Sequence, residues 1–204
     1  MDTISMMRQV LRHPYDFFYD IQQPNRIRWY QGFVIIALVC IMRMLSIMLT
    51  GYAFQTHEPH QISYVQEFFW IIVPWLSWCI SNWGVSAILD GEGKFKEVLH
   101  GSAFALVPYV VFIVPVTLLS HVLSLEEASI HQFLVFGIYA WSILLLLIKV
   151  KIIHDFELGK LLWIVAISLA GIAIIWFVGI LMFGLANQFI NFIFDLFKEM
   201  NLRV

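Results

Sequence analysis

Histidine and glutamate side chains are concentrated in two short polar stretches of this sequence, where they could bind a metal or change charge with pH. The residues are His57, Glu58, His60 and Glu67 in the first stretch and His121, Glu126, Glu127 and His131 in the second. Imidazole and carboxylate groups bind transition metals, and imidazole titrates between about pH 5 and 8. However, His57 and His60 are one residue too close for the HExxH zinc signature, and Pro59 would disrupt the helix that this signature requires. We therefore expect solvated loop residues rather than a metal site, and we expect no cofactor.

Catalytic motifs are poorly matched. Gly84-Val85-Ser86 begins like a nucleophile elbow, but Ile88 stands where that motif has its second glycine. A relay for protons or ions would need paired carboxylates within the membrane, and the apolar runs described below contain no Asp or Glu. We therefore expect a protein without enzymatic activity.

Five long apolar runs are the elements that would hold the residues of any site in this chain. They comprise residues 31–54, 68–89, 99–120, 131–151 and 161–185. Each run is long enough to cross a hydrocarbon layer as a helix of roughly 20 residues. The chain is 61% hydrophobic, whereas its 13% of charged residues lies far below the roughly 25% of soluble domains. We expect a multi-pass membrane protein in contact with the lipid bilayer, and its net charge of -2 argues against a nucleic-acid partner.

The fold class predicted by these runs is all-α, a bundle of five transmembrane helices. Lipid offers no hydrogen-bond partner to backbone amides, so each run must close its own hydrogen bonds. Runs of about 20 residues favour helices over the shorter strands of a membrane barrel. No repeat and no Ser- or Gly-rich linker divides the chain, so we expect a single domain over residues 1–204.

The distribution of Lys and Arg predicts the orientation, because positive residues are retained on the cytoplasmic side during insertion. Lys or Arg occurs before the first run, between the second and third, and around the connection between the fourth and fifth. These residues are Arg8, Arg12, Arg26, Arg28, Lys94, Lys96, Lys149, Lys151 and Lys160. Residues 55–67 and 121–130 contain no Lys or Arg. We expect the N-terminus in the cytoplasm and, after five spans, the C-terminus outside the cell.

Two flanking segments are amphipathic without being long enough to cross. In residues 1–30, apolar residues recur at helical intervals on both sides of His13-Pro14, with arginines between them. In residues 186–204, apolar and polar residues also occupy opposite helix faces. We expect interfacial helices in both segments, although either segment could instead cap the bundle or meet a partner.

Arg43 is the charge that we expect near the bilayer centre, where insertion costs about 2.5–3.5 kcal/mol. Its expected partners are hydroxyl groups, indole rings and carbonyls freed by proline. By residue counting, Ser77 and Trp78 of the second run lie at the same depth, and Asn82 follows in that run. These residues form the candidate contact site within the membrane. It could hold an anionic group, contact another protein, or simply satisfy a buried arginine.

The connection after the second run, residues 90–96, is rich in glycine. It lacks the spacing and the Ser or Thr of a phosphate-binding loop. We expect it to end the second helix, reverse the chain and place Lys94 and Lys96 near anionic lipid, each contributing about 1 kcal/mol.

Two segments resemble a known family. His13-Pro14-Tyr15-Asp16-Phe17-Phe18 resembles the entry segment of bacterial members of the Yip family, the Ypt/Rab-interacting integral membrane proteins. The connection containing Gly91, Gly93, Lys94, Phe95 and Lys96, followed by Pro108 in the third run, resembles that family's central loop and third span.

The resemblance implies a bacterial plasma-membrane protein with five helices, a cytoplasmic N-terminus and no enzymatic activity. Bacterial relatives often accompany ABC transporters, so it implies an accessory subunit. We therefore expect a non-catalytic adaptor that binds other membrane proteins, such as transporter permeases. The alternative is a small solute transporter or channel with a path around Arg43 between spans one to three.

Overall fold

The computed structural model describes residues 2–23, 26–51, 54 and 63–202, which form helices and turns without any strand. The helices in this part of the chain are α1 Thr3–Arg12, α2 Pro14–Asp20, α3 Trp29–Leu49, α4 Tyr64–Ile88, α5 Phe95–Phe104, α6 Val107–Leu119, α7 Ala128–His154 and α8 Leu158–Leu202. Five stretches are long and apolar enough to cross a membrane: α3, α4, α5 with α6, α7 with its preceding 3-10 turn, and most of α8. The prediction of an all-α membrane bundle with five spans is therefore confirmed.

Contacts between helix ends show that alternate spans end on the same side of the bundle. The backbone N–H of Gly93 donates to Nδ1 of His154 at 3.3 Å, which joins the α4–α5 turn to the end of α7. The backbone N–H of Gly51 donates to Oγ of Ser120 at 2.8 Å, which joins the end of α3 to the end of α6. We call the end that carries α1, α2, the α4–α5 turn and the α7–α8 turn the capped end, and the opposite end the open end.

Helices α1 and α2 cap the bundle, which is the alternative that the sequence left open for residues 1–30, and their position at the membrane surface stays a prediction. Met6, Val10, Phe17 and Phe18 are at most 2% exposed and belong to the main hydrophobic core. The break between the helices falls at His13, as predicted, because the residue before a proline disfavours helical geometry and Pro14 suits the first turn of α2. The apolar face of this segment is therefore covered by protein rather than by lipid.

The third span is broken near its middle, and the first ends earlier than its run. α5 ends at Phe104 and α6 begins at Val107, with Pro108 in the first turn of α6. Proline has no N–H to continue the hydrogen-bond ladder of the helix, and its ring clashes with the preceding turn.

α3 ends at Leu49 rather than residue 54, since Thr50 is already extended.

The C-terminal tail is helical, as predicted, but continues the fifth span as one helix, and the interfacial position predicted for residues 186–204 stays a prediction. α8 extends over 45 residues, from Leu158 to Leu202. No proline occurs in this stretch, and Asn187, Asn191 and Asp195 disfavour a helix only mildly. The amphipathic pattern of the tail therefore starts within α8, because no residue there ends the helix.

Candidate functional site

A groove of about 390 Å³ lies between α4 and α7, with α3 and the broken third span behind it. α4 packs mainly against α5 and α8, whereas α7 packs mainly against α6 and α2, so α4 and α7 have little direct contact with each other. Trp70 of α4 and Tyr139 of α7 form its exposed rim. The lining residues are Val39, Arg43, Glu67, Trp70, Ile71, Pro74, Trp75, Trp78, Ser102, Leu106, Tyr109, Tyr139, Ser142 and Leu146.

Arg43 forms an ion pair with Glu67 in this groove. Nε of Arg43 lies 2.9 Å from Oε2 of Glu67, and the two side chains are 36% and 27% exposed. The expectation that Arg43 has no carboxylate partner is therefore wrong. α4 begins at Tyr64, so Glu67, which immediately precedes the second apolar run, lies in the first turn of that helix. Arg43 is six residues from the end of α3, or about 9 Å by helical rise, and lies past the middle of that helix, so the pair is in the half of the bundle toward the open end.

Trp78, predicted beside Arg43, lines the same groove together with Trp75, but neither indole ring has a cation–π contact with Arg43. Within the described part of the chain, the ring-stacked cations are Lys96 and Lys160. Counting residues along the helices therefore identified part of the groove wall but not Glu67, the ion-pair partner of Arg43.

Ser77 faces α8 rather than Arg43. Its hydroxyl accepts a hydrogen bond from Nε1 of Trp176 at 3.0 Å and donates to the carbonyl oxygen of Val73 at 2.7 Å. Trp176 also lies 5.9 Å from Trp70, measured between ring centroids. Trp176 therefore marks the position at which the contact between α8 and α4 ends.

Asn82 belongs to a different polar contact, with a lysine buried within the bundle. Nζ of Lys149 donates to Oδ1 of Asn82 at 3.0 Å, and both residues are 0% exposed. The sequence reading missed this contact, because Lys149 was counted among the loop charges near the fourth connection. α7 continues to His154, which leaves Lys149 about 7.5 Å inside the helix.

Helical spacing could have identified Lys149 as an inward-facing residue. Ser142, Leu145, Lys149 and Ile153 recur at intervals of three and four and all are buried. Gly101 of α5 makes room for the lysine, since a Cβ there would lie 2.9 Å from Cγ of Lys149.

The α4–α5 turn is a close-packed joint between α4 and α7. A Cβ on Gly91 would lie 2.8 Å from Nδ1 of His154, and one on Gly93 would lie 2.6 Å from Cγ2 of Ile153. Asp90 has a φ of 59°, which reverses the chain after α4. The two glycines of the predicted motif are therefore required for close approach of the turn to the end of α7.

The basic and aromatic residues of this motif mostly contact the protein itself. Nζ of Lys96 donates to the carbonyl oxygen of Ile27 at 2.9 Å and lies 5.5 Å from the ring centroid of Trp29. Phe95 packs edge-on against Trp83. Lys96 thus holds the segment before α3, and the predicted interaction with anionic lipid stays a prediction for Lys94.

A second ion pair lies at the capped end. Nη2 of Arg26 is 2.9 Å from Oδ2 of Asp20, with side chains 37% and 26% exposed. Hydrogen bonds from Gln9 and then from Arg26 lower the pKa of Asp20 below its usual value. The carboxylate therefore joins α1, α2 and the segment that leads to α3.

The predicted histidine cluster is only partly within the described residues. His57 and His60 lie outside them. Nε2 of His121 is 2.8 Å from the carbonyl oxygen of Leu49, and His131 packs against Phe54. No three His, Cys, Asp or Glu side chains converge among the residues that the structure describes. The expectation that these histidines form no metal site stays a prediction.

The sequence was compared with models of protein families, and the Yip1 domain matches residues 8–187. The chain belongs to the Yip1 domain family. The match in this Yip1 protein extends from α1 to the outer part of α8 and includes the α4–α5 turn and Pro108, which confirms the family resemblance of the sequence. No match was found among curated proteins or among solved structures. Family membership supports a multi-pass membrane protein.

Proposed function

We propose that this Yip1 protein is a non-catalytic membrane adaptor that binds other integral membrane proteins through the uncovered part of α8. The observation that supports the proposal is the exposure of every residue from 177 to 192. We call residues 177–192 the uncovered segment. Large apolar side chains such as Phe183 and Phe189, which are 76% and 65% exposed, occur on all its sides. A helix that is apolar on all sides needs lipid or protein around it.

Lipid alone accounts for only part of this surface. α8 has 45 residues and is therefore about 67 Å long, whereas the hydrocarbon core of a bilayer is about 30 Å thick. Its contact with α4 ends near Trp176, so about 39 Å of helix follows without covering from the bundle. Trp70, which contacts Trp176, lies six residues after the start of α4. About 30 Å of α8 thus extends beyond α4, and we propose that a partner membrane protein covers its apolar surface.

The proposed partner is the permease of an ABC transporter, which is the association implied by resemblance to bacterial relatives. We also propose a bacterial plasma-membrane location with the capped end in the cytoplasm and the open end outside. Support comes from Arg8, Arg12, Lys151 and Lys160, which all belong to elements of the capped end. Basic residues favour the cytoplasmic side of a membrane.

The absence of catalysis is part of the same proposal. Among the described residues, no serine or cysteine is hydrogen-bonded to a histidine. The buried His100 instead contacts the backbone carbonyl oxygens of Lys96 and Trp29. A nucleophile without an adjacent base is weak at neutral pH.

Co-purification of truncated chains tests the proposal. A chain that ends after Trp176 keeps the contact between α4 and α8 but lacks the whole uncovered segment. We expect it to insert and to melt like the full chain, and to lose the permease during purification in mild detergent. Retention of the permease by a properly folded truncated chain would refute binding through this segment.

The second candidate is a small solute transporter or channel, and the groove beside the Arg43–Glu67 pair is the observation that favours it. Flux of labelled small anions into proteoliposomes that contain the purified protein alone tests this alternative. Flux that falls in an Arg43→Gln variant would favour transport, whereas no flux together with permease binding would favour the adaptor.

A further inference from the structure

The groove between α4 and α7 combines a charged end with a long apolar wall. The Arg43–Glu67 pair lies toward the open end, and the aromatic side chains of Trp75, Trp78 and Tyr109 continue along the wall. Its volume of about 390 Å³ falls within the usual range for small-ligand sites, about 300–1,000 Å³. We propose that this groove binds a zwitterionic phospholipid from the leaflet at the open end.

In this arrangement the lipid phosphate contacts Arg43, the amine contacts Glu67, and one acyl chain lies along the aromatic wall. Phospholipid fits because the groove opens sideways between two membrane-spanning helices. Its rim residues Trp70 and Tyr139 are 57% and 43% exposed, and their neighbours Phe69 and Phe136 are 63% and 61% exposed. These apolar surfaces face the hydrocarbon, where lipid is the surrounding solvent. We place the charged end at headgroup depth, because Glu67 is only three residues, about 4.5 Å, from the start of α4.

A zwitterion fits because the groove presents both signs of charge side by side. Arg43 contacts Glu67 through Nε and remains 36% exposed, while a guanidinium has five N–H donors in a fork that matches phosphate. Glu67 remains 27% exposed and can accept from an ammonium group. Aromatic faces such as Trp70 also attract ammonium groups. An anionic headgroup would be repelled by Glu67, whereas a zwitterion satisfies both charges.

The ion pair at the capped end provides a matched control. Arg26 and Asp20 have the same 2.9 Å separation and nearly the same exposure as Arg43 and Glu67. The difference is the groove with its aromatic wall beside Arg43. Loss of either pair removes equivalent charges, so only a lipid site at the groove would make the two substitutions differ.

Native mass spectrometry of the purified full chain tests the proposal, with phosphatidylethanolamine and phosphatidylglycerol as competing probes. We expect one tightly retained phosphatidylethanolamine per chain in the wild type. Arg43→Gln and Glu67→Gln should each weaken its retention by roughly tenfold to a hundredfold, because a charge-assisted contact is lost. Arg26→Gln should leave retention unchanged. Ser142→Phe should fill the groove and displace the lipid while both ion pairs remain.

Several results would overturn the proposal. Equal effects of Arg43→Gln and Arg26→Gln would show a general charge effect. Phosphatidylglycerol retained as tightly as phosphatidylethanolamine, with no effect of Glu67→Gln, would show phosphate recognition without selection for a zwitterion. If Arg43→Gln fails to fold, Ser142→Phe alone decides, because a thermally stable Ser142→Phe protein that keeps its lipid contradicts the site.

Discussion

Lys149 donates a hydrogen bond to Asn82 at 3.0 Å in the interior of the bundle, and neither residue is exposed. The contact joins α7 to α4. Within the described residues, the ion pairs are Arg26–Asp20 and Arg43–Glu67, so Lys149 has an amide rather than a carboxylate as its partner. Because Lys149 is a buried cation with one neutral partner, substitution of either residue should change the stability of the protein.

A double-mutant cycle measures this contact. Asn82→Leu should lower the thermal midpoint more than Lys149→Met, because it leaves a cation buried without a partner. The double variant should lose less stability than the two single losses added together, with a coupling of about 0.6–1.7 kcal/mol, the mean and the maximum measured for hydrogen bonds between membrane helices. Tryptophan fluorescence during thermal unfolding in detergent provides the measurement. Strictly additive effects would show that the two side chains do not interact.

Gly93→Ala tests the close packing of the α4–α5 turn. A Cβ at this position would lie 2.6 Å from Cγ2 of Ile153 and 2.7 Å from Cε1 of His154. Overpacking typically costs about 1–3 kcal/mol, so the melting midpoint should fall. Gly159→Ala at the same end of the bundle meets no atom within 4 Å and should leave stability nearly unchanged. Equal midpoints for the two variants would contradict the described packing.

Two glycines of α8 test where this helix is covered. A Cβ on Gly171 would collide with Oγ of Ser81, which also donates to the carbonyl oxygen of Ser168 at 2.6 Å. A Cβ on Gly179 meets no atom within 4 Å. We expect Gly171→Ala to destabilise the purified protein, and Gly179→Ala to stabilise α8 by up to about 1 kcal/mol through helix propensity. Thermal unfolding of both variants is the measurement, and the reverse order would refute the described α4–α8 contact.

The pH dependence of Asp20 tests the cap formed by α1 and α2. Hydrogen bonds from Gln9 and Arg26 lower the pKa of Asp20 below its usual value of 3.8. A depressed folded-state pKa contributes stability that is present above the unfolded pKa and is lost as pH falls through the folded pKa. Asp20 is partly exposed, so the contribution is at most about 1 kcal/mol. The difference in thermal midpoint between wild type and Asp20→Asn should therefore shrink below about pH 4. A difference that is constant from pH 6 to pH 3 would contradict this role.

The five spans were predictable from the sequence because a helix that crosses a membrane needs a longer apolar run than a helix in the core of a soluble protein. Pro108 was recognised, but its break between α5 and α6 depends on how the two halves pack against neighbouring helices. The long α8 was not predicted, since an amphipathic tail pattern is the same whether the helix bends onto a membrane or continues straight.

The two charged contacts within the spans were harder to predict for a different reason. Glu67 immediately precedes its apolar run and was assigned to a loop, whereas Lys149 is near the end of another run and was counted with the charges of the connection that follows. Their burial depends on helix ends, which are the least certain feature of an apolar run. The groove depends on the space left between α4 and α7, and the apolar pattern of each helix alone does not show how the two are placed.

Site-specific photo-cross-linking in native membranes tests the central claim most directly. A photoreactive residue replaces Phe192 in the uncovered segment, and the control replaces Leu162, which is 67% exposed on the part of α8 near the capped end. The adaptor account predicts a cross-link to an ABC transporter permease from position 192 and a much weaker one from position 162. Cross-links only to lipid at position 192, or equal permease labelling from both positions, would contradict it.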